Sequence, residues 1–173
     1  MDALAARAAQ QPMLANAAIA RLIALLLPVA LLGGALGSQY VGGLHPCEMC
    51  YWQRWPHAAA IVLAALAFTA PAESGRSRTL TLLAALAIAT SGAIGVYHAG
   101  VEAKIFEGFT QCTATTRGLS TADILKQITQ APLTRCDEVQ FRFLGISMAG
   151  WNAILSLSGA ALIALLTLKG RRS

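Results

Sequence analysis

Four apolar blocks divide the chain, and its charged residues collect between them. The first block runs from about residue 17 to 36 and holds one charge, Arg21. The second, 52–70, has Arg54 near its start, while the third, 79–99, and the fourth, 148–168, contain no Lys, Arg, Asp or Glu. Each is roughly 20 residues, the length a helix needs to cross a hydrocarbon core of about 30 Å. A helix also satisfies its own backbone hydrogen bonds, as the bilayer interior demands. The pattern predicts an all-α integral membrane protein, a four-helix bundle forming one domain over 1–173. Two outer loops, 38–51 and 100–147, join its helices. Four buried helices of a soluble protein would leave too little polar surface.

Small residues recur inside the blocks: Gly33, Gly34 and Gly37, then Ser91, Gly92 and Gly95, then Ser156, Ser158 and Gly159. They predict close helix–helix approach. Pro28 is expected to kink the first helix, and Pro56 to sit in the first turns of the second, where proline costs less. Arg21 followed by an apolar core and Ala35-Leu36-Gly37 also resembles a cleavable signal. The apolar run is long for that purpose, and the topology closes better with the segment retained.

Only 12% of the residues are charged, against about a quarter in soluble proteins. A net charge of +5 would suggest nucleic-acid binding in a soluble chain. Here the basic residues flank apolar blocks and serve orientation instead. Arg7, Arg21, Arg76, Arg78, Lys169, Arg171 and Arg172 fall on one side with both termini, which makes that side cytoplasmic. The loop 38–51 has no Lys or Arg, and in the loop 100–147 basic residues are offset by acidic ones. Both face outward.

All four cysteines lie in or at the edge of the outward loops: Cys47 and Cys50 in the first, Cys112 and Cys136 in the second. An oxidising compartment permits disulfides there. One pair per loop is the simplest of three connectivities. Cys47-Glu-Met-Cys50 is a C-x-x-C placed where the second helix begins, and a helix N-terminus stabilises a thiolate. Arg54 follows Cys50 by four residues, one turn along the same face if the helix has begun by then. It either supports the thiolate and polarises a bound carbonyl oxygen or snorkels to headgroups. Tyr51, Trp52 and Trp55 suit the aromatic belt and would also wall a flat apolar cofactor. Haem attachment needs His at position 51, where Tyr51 stands. Zinc on four thiolates, or on three with His45, is an alternative, although the second pair is too widely spaced for common zinc modules. Purely structural disulfides are another. A C-x-x-C ring is small and strained, more often redox-active than a staple.

In the long loop, Ser120-Thr121-Ala122-Asp123 reads as a helix start, with Ser120 as N-cap. Ile124, Leu125 and Ile128 mark one apolar face, so a short amphipathic helix is expected on the membrane surface. Pro132 should end it before Cys136. Phe106, Phe109, Phe141 and Phe143 can dip into the interface. His98, near the end of the third block, is either a headgroup contact or a hydrogen-bond donor to a cofactor or a proton relay.

The stretches Cys47-Glu-Met-Cys50-Tyr51-Trp52-Gln53-Arg54, Tyr97-His98-Ala99-Gly100-Val101-Glu102, Arg135-Cys136-Asp137-Glu138 and Gly145-Ile146-Ser147-Met148-Ala149-Gly150-Trp151-Asn152 resemble segments of the bacterial DsbB family of disulfide-bond formation proteins. The resemblance covers nearly the whole chain. In the vitamin K epoxide reductase relatives the loop pair precedes the C-x-x-C, so the order of pairs here argues against them. The resemblance implies a quinone-dependent thiol oxidase of the bacterial inner membrane. A reduced DsbA-like thioredoxin-fold protein attacks the Cys112–Cys136 disulfide and forms a mixed disulfide with Cys112. Cys136 exchanges with Cys47, and Cys50 holds the reducing equivalents as a thiolate–quinone complex. Arg54 supports the quinone site, and His98 is a further candidate. The quinone is ubiquinone or menaquinone, the partners are the DsbA-like protein, lipid and the quinone pool, and no metal or nucleic acid is implied. Glu48, between the first two cysteines, bears on the redox poise of Cys50. The alternative is a non-catalytic membrane protein that binds metal or is stapled by disulfides.

Overall fold

The computed structural model describes residues 2–108, 120–122 and 134–169, with side chains from Leu14 onward. Among them are four long helices: α1 (Asp2–Tyr40), α2 (Glu48–Ala67), α3 (Gly75–Glu102) and α4 (Met148–Lys169). A two-stranded hairpin, β1 (Arg142–Phe143) and β2 (Ile146–Ser147), precedes α4. Three helical stretches, Leu14–Tyr40, Gly75–Glu102 and Met148–Lys169, are long and apolar enough to cross a membrane. Helix α2 has a similar length, but Glu48, Gln53, Arg54 and His57 make its first half polar.

The helices overrun the apolar blocks because hydropathy marks the hydrocarbon-matched portion, not the whole helix. Helix α2 starts at Glu48 rather than 52 and ends at Ala67 rather than 70. Pro56 is therefore well inside the helix rather than in its first turns, and it leaves the Trp52 carbonyl without its helical donor. Thr121 and Ala122 are helical. The rest of the expected surface helix, like Cys112 and Phe109, lies outside the described residues.

The bundle centre is built largely from alanine: Ala20, Ala24, Ala60, Ala64, Ala84, Ala85 and Ala160 surround Ile88 and Ile163. Larger apolar residues, among them Leu22, Leu26, Val62, Leu86 and Leu165, point outward. Helices that meet in lipid gain little from hiding leucine and more from bringing backbones close. The glycines divide accordingly. A Cβ at Gly95 would stand 3.0 Å from the Ala149 carbonyl oxygen and 3.1 Å from both Ala153 N and Asn152 Nδ2, whereas Gly33, Gly34 and Gly37 have nothing within 4 Å. The first group of small residues therefore makes no close helix contact, and the α3–α4 seam does. Gly95→Val is expected to destabilise the protein by about 1–3 kcal/mol, with Gly34→Ala near neutral, in unfolding titrations in mixed detergent micelles. Equal effects would sink this account of the seam.

One end of the bundle is closed by Arg21. Its guanidinium donates to the carbonyls of Ala67 (3.3 Å) and Ala70 (3.0 Å) and lies 4.8 Å over the Phe68 ring. A cation there meets the negative end of α2. Ser74 caps α3 by accepting from Ser77 N at 3.2 Å. At the other end, Leu144 and Gly145 both have positive φ, 52° and 81°, as a two-residue hairpin turn requires. That hairpin sits against the mouth of the bundle, where Trp151 Nε1 donates to the Phe143 carbonyl at 2.9 Å.

Candidate functional site

Cys47 is the N-cap residue of α2, with extended backbone, and Cys50 lies in the first turn. Their Sγ atoms stand 3.1 Å apart. Cys47 is buried and Cys50 half-buried. Cys136, from the second outer loop, is wholly buried in one cluster with Cys47, Met49 and Val101. Hydrogen bonds that the Cys47 thiol donates to Cys136 and Cys50, with burial added, push it well above the ordinary cysteine range. The fold thus brings three of the four candidate cysteines together.

His98 is buried rather than at a headgroup, because α3 continues another turn to Glu102. Its Nδ1 lies 2.8 Å from Gln53 Nε2, and its Nε2 lies 3.6 Å from Cys47 Sγ and 3.8 Å from Glu102 Oε1. Gln53 Nε2 also donates to the Met49 carbonyl at 3.1 Å, which fixes the orientation of the amide. The amide therefore donates to Nδ1, and the ring proton sits on Nε2, beside the Cys136 carbonyl, the Cys47 sulfur and Glu102.

The hydrogen bonds run on into the bundle. Asn152 Nδ2 donates to Gln53 Oε1 at 2.7 Å, and Asn152 Oδ1 meets His57 Nε2 and Ser156 Oγ, both at 2.9 Å. Ser91 Oγ donates to the Gln53 carbonyl at 2.8 Å. Sequence reasoning assigned no role to Gln53, His57 or Asn152 and read Ser91 only as a small residue for close helix packing. The available signal was polar pairs at helical spacing on otherwise apolar faces, Gln53 with His57 and Asn152 with Ser156.

A cavity of about 630 Å³ opens beside Cys50. Its wall includes Ala30, Leu31, Gly34, Ala35 and Ser38 of α1, Cys47, Cys50, Gln53, Arg54 and His57, then His98, Trp151 and Asn152. Arg54 reaches across to α1, donating to Gln39 Oε1 at 2.5 Å and to the Ala35 carbonyl at 3.2 Å, and it stacks 5.0 Å over Tyr51. These are helix contacts rather than headgroup contacts. Tyr51, Trp52 and Trp55 are exposed and do not line the cavity; Trp151 does. Sγ of Cys47 and Cys50 and a ring nitrogen of His98 all lie within 4.8 Å of one another, so this corner also offers a soft-metal donor set.

Cys136 is held in place by its neighbours. Asp137 accepts from Arg135 at 2.9 Å and from Lys104, just beyond α3, at 2.5 Å. Arg135 and then Lys104 hold the Asp137 carboxyl well below the usual carboxylate range. A lowered carboxylate contributes fully above its unfolded value of about 3.9 and loses that contribution as pH falls toward the folded value. The clamp is thus complete at neutral pH and lost only in strong acid. Asp137→Asn should raise alkylation of Cys136 in the reduced protein several-fold at pH 7, and the difference should persist at pH 5, above the range in which the clamp is lost. An unchanged rate at pH 7 would discard the clamp.

The match of residues 17–166 to the family model described as disulfide bond formation protein DsbB fits this constellation. The chain belongs to the DsbB family. It is 36% identical over 150 residues to disulfide bond formation protein B of Verminephrobacter eiseniae, covering 80% of this chain and 79% of that one. The protein of the same name from Methylococcus capsulatus is 34% identical over 142 residues, 79% and 85% of the two chains. That of Xanthomonas oryzae is 30% identical over 157 residues, 88% and 91%. No solved structure matches at comparable significance. With three span-length apolar helices, the DsbB-family chain is a multi-pass membrane protein of disulfide bond formation.

Proposed function

We propose that the chain is a membrane thiol oxidase that reoxidises a DsbA-like dithiol protein and passes the electrons to a membrane quinone. One observation carries this reading: Cys136 packs on Cys47, Cys47 meets Cys50 at 3.1 Å, and the cavity opens beside Cys50. Loop, helix N-terminus and cavity thus form one line of sulfur contacts. In this reading α2 is a fourth membrane span, the termini are cytoplasmic and the cysteines face the periplasm across the bacterial inner membrane. Residues 1–173 act as one domain.

The cavity residues fit a quinone. Its volume lies within the usual ligand range, its α1 wall is apolar, and one lining side chain, Arg54, carries a buried N–H donor, Nε, without a partner among the described residues. Such a wall suits a flat apolar ring with polar oxygens. A quinone bound there supplies a two-electron, two-proton acceptor.

The protein's own steps are thiol–disulfide exchanges. The partner thiolate attacks the Cys112–Cys136 disulfide at Cys112 and releases Cys136 as thiolate. Cys136 attacks Cys47, forming a Cys47–Cys136 bond and releasing Cys50 as thiolate. The partner's second thiolate then attacks its own mixed-disulfide sulfur, leaving oxidised and freeing Cys112. Cys112 attacks Cys136, which restores the loop disulfide and frees Cys47. The electron pair now rests on Cys47 and Cys50. His98 Nε2–H lies 3.6 Å from the Cys47 sulfur and stabilises it when anionic. Arg54 lies along the cavity wall one turn beyond Cys50.

The test is purified protein in detergent with a reduced DsbA-like partner and a short-chain quinone, following partner thiols and quinone absorbance together. Two thiols lost per quinone is the expected result. No transfer with ubiquinone and menaquinone analogues would overturn the reading. Arg54→Ala should raise KM for the quinone about tenfold, one charge-assisted hydrogen bond's worth, with KM for the partner unchanged. A second reading rests on the Cys47, Cys50 and His98 donor set: a non-catalytic metal-binding protein. Stoichiometric zinc by elemental analysis, with no turnover after its removal, would favour it.

A further inference from the structure

Three buried side-chain atoms among the described residues find no hydrogen-bond partner within the protein: Arg21 Nε, Arg54 Nε and His57 Nδ1. The two on α2 belong to residues lining the cavity. The imidazole is the informative one, because its proton can be placed. The Ser91 carbonyl oxygen only accepts, so the Asn152 amide turns Nδ2 to it, at 3.1 Å, and Oδ1 to His57 Nε2, at 2.9 Å. The Ser91 hydroxyl is engaged as donor to the Gln53 carbonyl, so it too accepts from Nε2, at 2.9 Å. Both neighbours of Nε2 are acceptors, and Nε2 carries the ring proton. In the neutral ring Nδ1 is then a bare lone pair. His57 is 3% exposed, and a buried acceptor left without a donor costs about 1–3 kcal/mol.

We propose that His57 Nδ1 accepts a hydrogen bond from a hydroxyl of the reduced carrier, so that this cavity binds a quinol more tightly than the corresponding quinone. The inference rests on the quinone-oxidase reading. A quinone presents carbonyl oxygens, which only accept, and would set lone pair against lone pair at Nδ1. Two electrons and two protons turn those oxygens into hydroxyls, which donate. Arg54 Nε–H is a donor and suits a carbonyl oxygen instead. The two unpartnered nitrogens on α2 thus have opposite complements, and only His57 favours the reduced state. Tighter binding of the reduced form raises the potential of the bound carrier. A tenfold preference corresponds to about 30 mV for a two-electron couple, in the direction that draws electrons from Cys50.

Binding alone tests this, without turnover. The full chain in detergent, carrying Cys47→Ser and Cys50→Ser so that it exchanges no electrons, would be titrated with decylubiquinone and with decylubiquinol. Tryptophan fluorescence is the readout, with Trp151 in the cavity wall. His57→Gln keeps an amide at the reach of Nε2 and removes Nδ1, whereas His57→Asn keeps a polar atom near Nδ1 and gives up the Nε2 bonds. The parent should prefer the quinol. His57→Gln should raise Kd for the quinol about tenfold and leave that for the quinone within about twofold, the scale of one hydrogen bond. His57→Asn should retain the preference. Equal weakening of both forms in His57→Gln, or a parent without preference, would overturn the inference and leave the oxidase reading standing. A parent that binds neither form would overturn both. The parent's own preference decides the matter even if a variant does not fold.

Discussion

Cys50→Ser stops quinone reduction while leaving Cys112 able to capture the partner. In the proposed relay the partner's thiolate meets only the loop pair, so the first exchange needs neither Cys47 nor Cys50. The electrons leave through the sulfur that lines the cavity, and Cys50 is that sulfur together with the more buried Cys47. A serine hydroxyl cannot form a disulfide or carry the electron pair, and no described cysteine besides Cys47 and Cys136 stands near. The expected outcome is quinone absorbance that does not move and a partner–Cys112 adduct that accumulates, visible on a non-reducing gel. Cys47→Ser should also end turnover, because Cys136 then has no sulfur to attack. Normal quinone reduction in Cys50→Ser would end the relay as written.

Asn152→Ala should be among the most destabilising single changes in the bundle. The side chain meets Gln53 Oε1, the Ser91 carbonyl, His57 Nε2 and Ser156 Oγ, and so joins α2, α3 and α4 through one amide. Interhelical bonds in membrane proteins average about 0.6 kcal/mol and reach about 1.7, but here several buried partners lose their complement at once. A loss of about 2–4 kcal/mol is expected, combining those bonds with the cost of leaving polar groups orphaned. Unfolding in mixed dodecylmaltoside–SDS micelles measures it. A loss below about 0.5 kcal/mol would mean that the amide is dispensable. Asn152→Asp keeps the acceptor for His57 but removes the donors to Gln53 and Ser91, and should fall between the two.

The four helices were legible because lipid imposes one rule on every spanning segment, a long run without charge. Where that rule stops, legibility stopped too. The polar turns that carry α2 back to Glu48 and α3 on to Glu102 are helical through packing, with Met49 and Val101 buried in one cluster, which hydropathy does not register. The cysteines, Arg54 and His98 stood out as residue types that are unusual beside apolar blocks. Their mutual placement did not, since nothing in the spacing says that residue 136 returns to residue 47. The network of Gln53, His57, Ser91 and Asn152 was hidden for a different reason. Each residue alone is an ordinary small polar side chain in a membrane helix, and only helix rotation brings them face to face. Gly33, Gly34 and Gly37 misled in the opposite sense, as small residues with nothing packed close against them, Gly34 standing in the cavity wall.

The ion pairs from Asp137 to Lys104 and Arg135 keep Cys136 beside its target. Under the proposed relay this makes the second exchange intramolecular, at an effective concentration of millimolar or more. A free thiol at micromolar levels cannot compete with it. The outer loop then behaves as a private channel: glutathione or another small thiol at such levels does not displace Cys136 in attacking Cys47, so it feeds no electrons of its own toward the cavity, and the yield of quinol per partner oxidised stays near one.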